Sequence, residues 1–387
     1  MNRPCPTKVI FVTPFWGNPR TGPEVYAKYL WESFRDDPDI EFHLVAASEE
    51  DGAAHPRLHL IKHPGGSLAL FKAVAHRALE LTRQLGPHGI LHVNNSNFHH
   101  SLLGSPWPII GQINDYEAAH LCENILPNIR KNGLRRFASL LRRRLLEKIF
   151  LPRQALTLCN SEYTRDAVLK GYGLGNPSKI RVLYKAVDVG DFVRPVQSPP
   201  ERSVRSHATT VVFIGTNFKL KGLDTLVLAT KHMTGGANLV AVGPREKDFE
   251  SAYPGLVGSA RKSGSVLLFT GPVPRSEVAK FLWQSDVLCL PSRVEALGVA
   301  LLEGVAAGLP CVASDVGGIP EIARHFNNVS LVRPNCPVLL ARALEEAIGR
   351  RGTSSGPDKI RQIFGRETMI GAVKKAYLEL AKTKELR

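Results

Sequence analysis

The chain has 387 residues, 43% of them apolar, and a formal net charge of +15. That length suits about two domains, and that apolar content excludes a disordered chain because each half can build a core. The basic balance favours anionic partners, namely nucleotide diphosphates, nucleic acid or an acidic membrane surface.

The first half alternates strand-like and helix-like runs. Residues 9–13 read as a strand, and 22–34 as a helix with Val25 and Tyr29 at helical spacing. Strands follow at 42–46 and 58–61, a helix at 68–85, and strands at 90–93 and 109–113. A strand at 155–159, a helix at 161–171 and a strand at 180–183 continue the pattern, which implies a parallel sheet covered on both faces. A linker is expected at 195–208, where three prolines interrupt a stretch with no apolar periodicity. The pattern then restarts with strands at 210–214, 239–242, 266–269 and 287–290 and helices at 222–231 and 276–284. A last helix is expected at 367–386. The short apolar run after Met1 reads as the first strand and not as a signal peptide. No run of eighteen apolar residues occurs, so no membrane-spanning helix is expected. The six cysteines show no metal spacing and several lie in apolar runs, which suits a reducing cytoplasm.

The most informative segment is Pro291-Ser-Arg-Val-Glu295-Ala-Leu-Gly298-Val-Ala-Leu-Leu-Glu303-Gly-Val-Ala-Ala-Gly308-Leu-Pro310. It lies between apolar runs at 287–290 and 311–313, so it reads as strand, loop, helix and strand. Ligands of open α/β sheets bind where strands end and helices begin, and a helix start offers unpaired amides to an anion. Glu295 and Glu303 would flank such a pocket and accept hydrogen bonds from sugar and ribose hydroxyls. This segment resembles the Glu-x7-Glu motif of the retaining family 4 glycosyltransferases of GT-B fold. The resemblance covers nearly the whole chain. It implies an α/β, GT-B architecture, with two Rossmann-like domains facing across a cleft: 1–194 for the acceptor and 209–365 for the nucleotide sugar. The final helix, within 366–387, would cross back to the first domain.

The resemblance assigns Glu295 to the donor sugar, Glu303 to the ribose, and the backbone of Ala296, Leu297, Gly298 and Val299 to the sugar and diphosphate. Each glutamate also has a plain reading, Glu295 as a carboxylate at a helix start and Glu303 as a solvated helix residue. Gly215-Thr-Asn-Phe-Lys-Leu-Lys221-Gly222 occupies the place of the family's Gly-Arg-x-x-x-x-Lys-Gly diphosphate clamp. Lys221 matches and Thr216 replaces the arginine, so Lys219 or the helix start would supply the second positive element, next to Asn217. Val273, in Gly271-Pro-Val-Pro, falls in the loop that touches the base in the family; a generic turn explains it as well. No D-x-D stands at the end of a strand in a suitable place, so lysine and helix dipole would stabilise the leaving diphosphate without a metal. No cofactor is expected.

In the first domain Gly22 matches the second of two family glycines, with Thr21 in place of the first. Asn114 stands where the family has histidine beside the anomeric centre; it can hydrogen-bond a hydroxyl but cannot carry a proton. Asp115, His99 and His100 are candidates for the acceptor pocket, while His92 reads as structural. Between residues 130 and 153 there are nine Lys or Arg and one Glu. On a helix wheel Leu134, Phe137, Ala138, Leu141, Leu145 and Ile149 share one arc, with Arg135, Arg136, Arg142, Arg143 and Arg144 on the rest. The expected helix packs inward by its apolar arc and turns its arginines toward an anionic membrane surface. Nucleic acid is disfavoured because no aromatic residues interleave the charges.

The combined expectation is a retaining hexosyltransferase that uses a nucleotide-diphosphate sugar and a saccharide or glycolipid acceptor in cell-envelope glycan synthesis, such as that of lipopolysaccharide. It would work in the cytoplasm at the inner face of the membrane. Two alternatives stand beside it, a nucleotide-sugar epimerase of the same fold and a basic scaffold that binds membranes or nucleic acid.

Overall fold

The computed structural model describes residues 5–17, 22–48, 55–62, 68–95, 98, 101–102, 104–119, 125–174, 176–194, 209–348 and 356–385. The chain divides into two compact units, one of Met1–Lys185 with Met369–Arg387 and one of Ala186–Thr368.

The first unit contains β1 (Thr7–Phe15), α1 (Gly22–Phe34), β2 (Ile40–Ser48), β3 (Leu58–Lys62), α2 (Leu68–Gln84), β4 (Ile90–Val93), β5 (Ile109–Ile113), α3 (Ile125–Phe150), β6 (Leu156–Cys159), α4 (Glu162–Tyr172) and β7 (Ile180–Val182). The strands form a seven-stranded sheet in the order β3-β2-β1-β4-β5-β6-β7, and every pairing is parallel. Parallel strands need helices on both faces, so their middles are apolar throughout. Val9, Ile10, Phe11 and Val12 of β1 are accordingly fully buried.

The last helix, α13 (Arg366–Glu385), supplies the C-terminal part of this unit. Tyr377 is buried and its hydroxyl lies 2.7 Å from His92 Nδ1. Lys374 bridges Asp37 and Asp39 at 2.9 and 2.7 Å, and Arg181 meets Glu379 at 2.6 Å. His92 is a core residue, and burial, aided by Lys185, holds its pKa down at about 3.

The second unit contains β8 (Thr210–Ile214), α5 (Leu223–Thr230), β9 (Asn238–Val242), α6 (Glu246–Ala252), α7 (Leu256–Lys262), β10 (Val266–Gly271), α8 (Arg275–Trp283), β11 (Val287–Leu290), α9 (Val299–Ala306), β12 (Cys311–Ser314), α10 (Ile319–Ala323), β13 (Val329–Val332), α11 (Pro337–Ile348) and α12 (Gly356–Phe364). Its six parallel strands run in the order β10-β9-β8-β11-β12-β13. Chain order reverses direction between β8 and β11, which makes that position the topological switch point where ligands of such sheets bind.

The expected linker, 195–208, lies outside the described residues. The chain enters the second unit ahead of it, at Ala186. Val187 N donates to Phe364 O at 3.0 Å, and Phe192 O accepts from Trp283 Nε1 at 2.7 Å.

Candidate active site

The loops that follow β8 and β11 meet at the switch point of the second unit. Gly222, just ahead of α5, has φ +70° and packs so closely on Pro291 that an added Cβ would stand 2.1 Å from its carbonyl oxygen. Only glycine permits both the conformation and the approach. Arg293 N donates to Leu220 O at 2.8 Å, which ties the two loops together.

Lys221 and Glu295 form an ion pair across this junction, Nζ to Oε2. Ser292 Oγ donates to the same carboxylate oxygen at 3.2 Å. The Glu295 carbonyl accepts from Gly318 N at 3.2 Å, so the loop after β12 joins the site. Gly298 caps α9 with φ 99° and its carbonyl accepts from Leu301 and Leu302. Intrahelical bonding therefore starts there, and the amides of Val299 and Ala300 have no acceptor within the helix. Glu303 is buried one turn into α9. Its Oε1 lies 2.7 Å from Arg275 Nη1 at the start of α8. Burial pushes the Glu303 carboxyl up from its ordinary range, and the Arg275 guanidinium opposes that rise. Arg275 also lies over the Phe192 ring, 5.6 Å from its centroid.

Lys221, Glu295 and Glu303, named from sequence, thus come together, and Lys221 acts electrostatically on Glu303 as well. Asn217 shapes the turn: its side chain accepts from Leu220 N at 3.3 Å and its carbonyl from Lys221 N at 2.9 Å. Thr216 and Lys219 are exposed on the same loop, and Val273 is half-buried between β10 and α8. Ala296 is partly exposed, Leu297 buried, and Val299 opens α9.

Sequence reasoning missed two arginines. Arg293 grips Asp224 with two hydrogen bonds, at 2.7 and 2.6 Å, and donates to Lys219 O and Asn335 Oδ1, each at 2.6 Å. It holds the Lys221 loop against the Glu295 loop, and its place inside Pro291-Ser-Arg was its signal. Arg275 carried no such signal, because it lies outside that motif, at the start of α8.

In the first unit three asparagines follow adjacent strands. Asn160 Nδ2 donates to Asn114 O at 2.9 Å, Asn114 Nδ2 to Asn94 O at 2.9 Å, and Asn94 Nδ2 to Pro23 O at 3.0 Å. This ladder fixes the strand ends against Pro23, next to Gly22, the exposed first residue of α1. Asn114 is a link in it, with its Oδ1 unpartnered. Thr21, His99 and His100 lie outside the described residues, as do the side chains of Arg135 and Arg136.

The basic helix corrects an expectation. Arg143 turns inward, with 2.7 Å contacts to both Asp115 and Glu147. Burial works against its charge, but the two carboxylates outweigh that and raise its pKa. Arg144 donates to Ala118 O at 3.0 Å and to the carbonyls of Ala119 and Gly171, and lies over the Tyr172 ring. Of the expected membrane-facing arginines, Arg142 is exposed; Arg143 and Arg144 hold α3 in place. Asp115, expected at the acceptor, is engaged by Arg143. The reason is Glu147, which is buried and needs a cation one turn away. Among the described residues no group of three or more His, Cys, Asp or Glu is placed to hold a metal ion.

Two family models match the chain, "Glycosyltransferase Family 4" over residues 20–191 and "Glycosyl transferases group 1" over residues 198–361. A D-inositol 3-phosphate glycosyltransferase of Xylanimonas cellulosilytica is 27% identical over 62% of this chain and 60% of its own length. Another from Kribbella flavida is 32% identical over 42% of this chain and 41% of its own. The match spans 44% and 60% of the length of two such curated relatives. Among solved structures, sucrose-phosphate synthase of Thermosynechococcus elongatus aligns with a TM-score of 0.78 at 16% identity, covering 97% of this chain and 100% of that one. Anabaena HepE in complex with UDP and glucose aligns at 0.72 and 17%, covering 96% and 99%. WaaG, a glycosyltransferase involved in lipopolysaccharide biosynthesis, aligns at 0.62 and 17%, covering 97% and 98%.

Proposed function

We propose that this chain, which belongs to the family 4 glycosyltransferases of GT-B fold, moves a hexose from a nucleotide-diphosphate sugar to a saccharide or lipid-linked saccharide, with retention and without a metal. The observation that carries the reading is the grouping of Lys221, Glu295, Glu303 and Arg275 around the switch point of the second unit. Breaking a sugar–phosphate bond builds negative charge on the departing diphosphate. A catalyst must stabilise that charge more in the transition state than in the ground state. In this reading Lys221 and the start of α9 do so. Lys221 would exchange part of its pairing with Glu295 for the diphosphate, which frees a Glu295 oxygen for donor sugar hydroxyls. Glu303, held by Arg275, accepts from the ribose.

The sugar C1–O bond to the diphosphate breaks as C1 bonds to the acceptor oxygen on the same face. The acceptor proton passes to the departing diphosphate, so no protein carboxylate serves as nucleophile. Acceptor recognition is assigned to the first unit. Anabaena HepE, a solved protein of this fold, holds UDP and UDP-glucose in its complexes, which supports a nucleotide-sugar donor. Envelope glycan synthesis, at the inner face of a membrane, is the setting we favour.

Calorimetry with UDP, GDP and ADP, followed by turnover with the matching sugar nucleotides, tests the reading. One nucleotide is expected to bind, the product to keep the donor's anomeric configuration, and Lys221→Ala to lose roughly 100- to 1,000-fold in kcat. Absence of binding by all three nucleotides, or an inverted product, overturns it.

A further inference from the structure

The outward face of α3 is not the one its composition suggests. Leu141, Leu145 and Ile149 are 40%, 57% and 46% exposed. They stand four residues apart, so they form a single apolar ridge along the helix. Exposed Arg142 and Lys148 lie beside the ridge, and exposed Arg153 follows it. The lone acid of the segment, Glu147, is buried and bound to Arg143 and Tyr172. The ridge therefore has cations around it and no competing anion among the described residues of the helix.

We propose that this face of α3 docks on an anionic lipid bilayer, with Leu141, Leu145 and Ile149 entering the acyl boundary and Arg142, Lys148 and Arg153 meeting the headgroups. The proposal deepens the membrane setting favoured above and rests on that setting, not on the donor chemistry.

Charge and size select the occupant. Three isolated side chains make a patch of at most a few hundred Å². A second copy of the chain would need roughly 800 Å² per partner for a standard interface, and it would bring the same cations against these. A bilayer needs no such area, since a few inserted apolar side chains and several cations act together. An amphipathic helix that lies in the interface carries this pattern of bulky apolar residues on one side and lysine or arginine beside them. The inward arginines matter here. Arg143 and Arg144 anchor the helix to Asp115, Glu147 and the carbonyls of Ala118, Ala119 and Gly171. They fix its rotation, so the ridge is held outward instead of rolling onto the sheet.

The test is sedimentation of the full chain with vesicles of phosphatidylcholine alone and of phosphatidylcholine with 30% phosphatidylglycerol, at low and high salt. Binding is expected only to the anionic vesicles, and weaker at high salt. The triple variant L141S/L145S/I149S keeps every charge. It is expected to lose at least 10-fold in apparent affinity, while its thermal midpoint and nucleotide binding stay as in the wild type. R142Q/K148Q is expected to weaken binding and flatten its salt dependence. Equal sedimentation of the triple variant and the wild type reduces the effect to bulk charge and overturns the proposal. So does absence of wild-type binding at low salt. Light scattering on the same samples covers the remaining occupant: a wild-type dimer that the triple variant dissolves, without lipid binding, assigns the ridge to a second copy and equally overturns it. Nucleotide calorimetry on the wild type is a separate readout, so failure here and failure of the donor reading are told apart.

Discussion

Replacing Lys185 with methionine is expected to stabilise the protein, by an amount that depends on pH. Lys185 is buried in the first unit, with Nζ 4.0 Å from the centre of the Tyr26 ring and without a hydrogen-bond partner. Burial lowers its pKa from 10.5 to about 7. The unfolded chain carries this proton below 10.5, and the folded chain only below about 7. Between those values the unfolded state binds the extra proton, so this group lowers stability progressively as pH falls through the window, and its cost is complete below about 7. At 1.36 kcal/mol for each pH unit, the cost is about 4 kcal/mol at pH 7 and about 2 kcal/mol at pH 9. Methionine has a similar length and no charge, so it removes the cost. Urea unfolding of both proteins at pH 7 and pH 9 is the assay. The variant should be the more stable at pH 7, and its advantage should shrink by about 2 kcal/mol at pH 9. A wild type that is more stable at pH 7, or an advantage that does not change with pH, refutes the reasoning.

Arg275→Gln is expected to raise the donor KM by about 10-fold, equivalent to about 1.4 kcal/mol, with a smaller change in kcat. Without the guanidinium the Glu303 carboxyl rises further, so the acid limb of 1/KM should move to higher pH and Arg275→Lys should restore part of it; a KM change independent of pH would deny Arg275 its positioning role. Glu147→Ala strips one partner each from Arg143 and Tyr172 and should cost about 3 kcal/mol in urea unfolding; a loss below about 1 kcal/mol would show that Asp115 alone satisfies Arg143.

The sheets were legible because parallel strands buried on both faces are plain apolar runs, and because turns punctuate them. Residues 9–13 marked β1, although the strand extends to Thr7 and Phe15, where exposure no longer demands apolar side chains. Strand order was not legible in alternation alone: nothing in a βα repeat says that β11 pairs with β8. Lys221, Glu295 and Glu303 were legible because each sits at a βα junction or early in the following helix, in a short motif that the resemblance covers. Their partners were not. Arg275 and Arg293 act through contacts that the fold creates, with Glu303 on another helix and with Asp224 on another loop–helix junction. An arginine in a loop or at a helix start carries no sign of which carboxylate it will meet.

The orientation of α3 shows why a helix wheel can mislead. A wheel ranks faces by apolarity and sends the most apolar arc inward, since burial of apolar area dominates the energetics of an average helix. That rule assumes that every charge can reach water. Glu147 breaks the assumption: it is buried and within reach of Arg143, and Tyr172 donates to its second oxygen. Once this carboxylate faces inward, Arg143 one turn earlier must follow, and Arg144 beside it finds three backbone carbonyls. Breaking such a buried set costs about 3–5 kcal/mol. Withdrawing three half-exposed aliphatic side chains fully from water would return about 1 kcal/mol each, since roughly half of the 1.5–3 kcal/mol for complete burial is already realised. The two alternatives are of similar size. The polar set prevails because its partners are fixed on neighbouring elements, and the ridge is left exposed. One acid among nine bases was the mark of this in the sequence: a lone carboxylate amid cations is the residue for which the chain can most readily provide a buried partner.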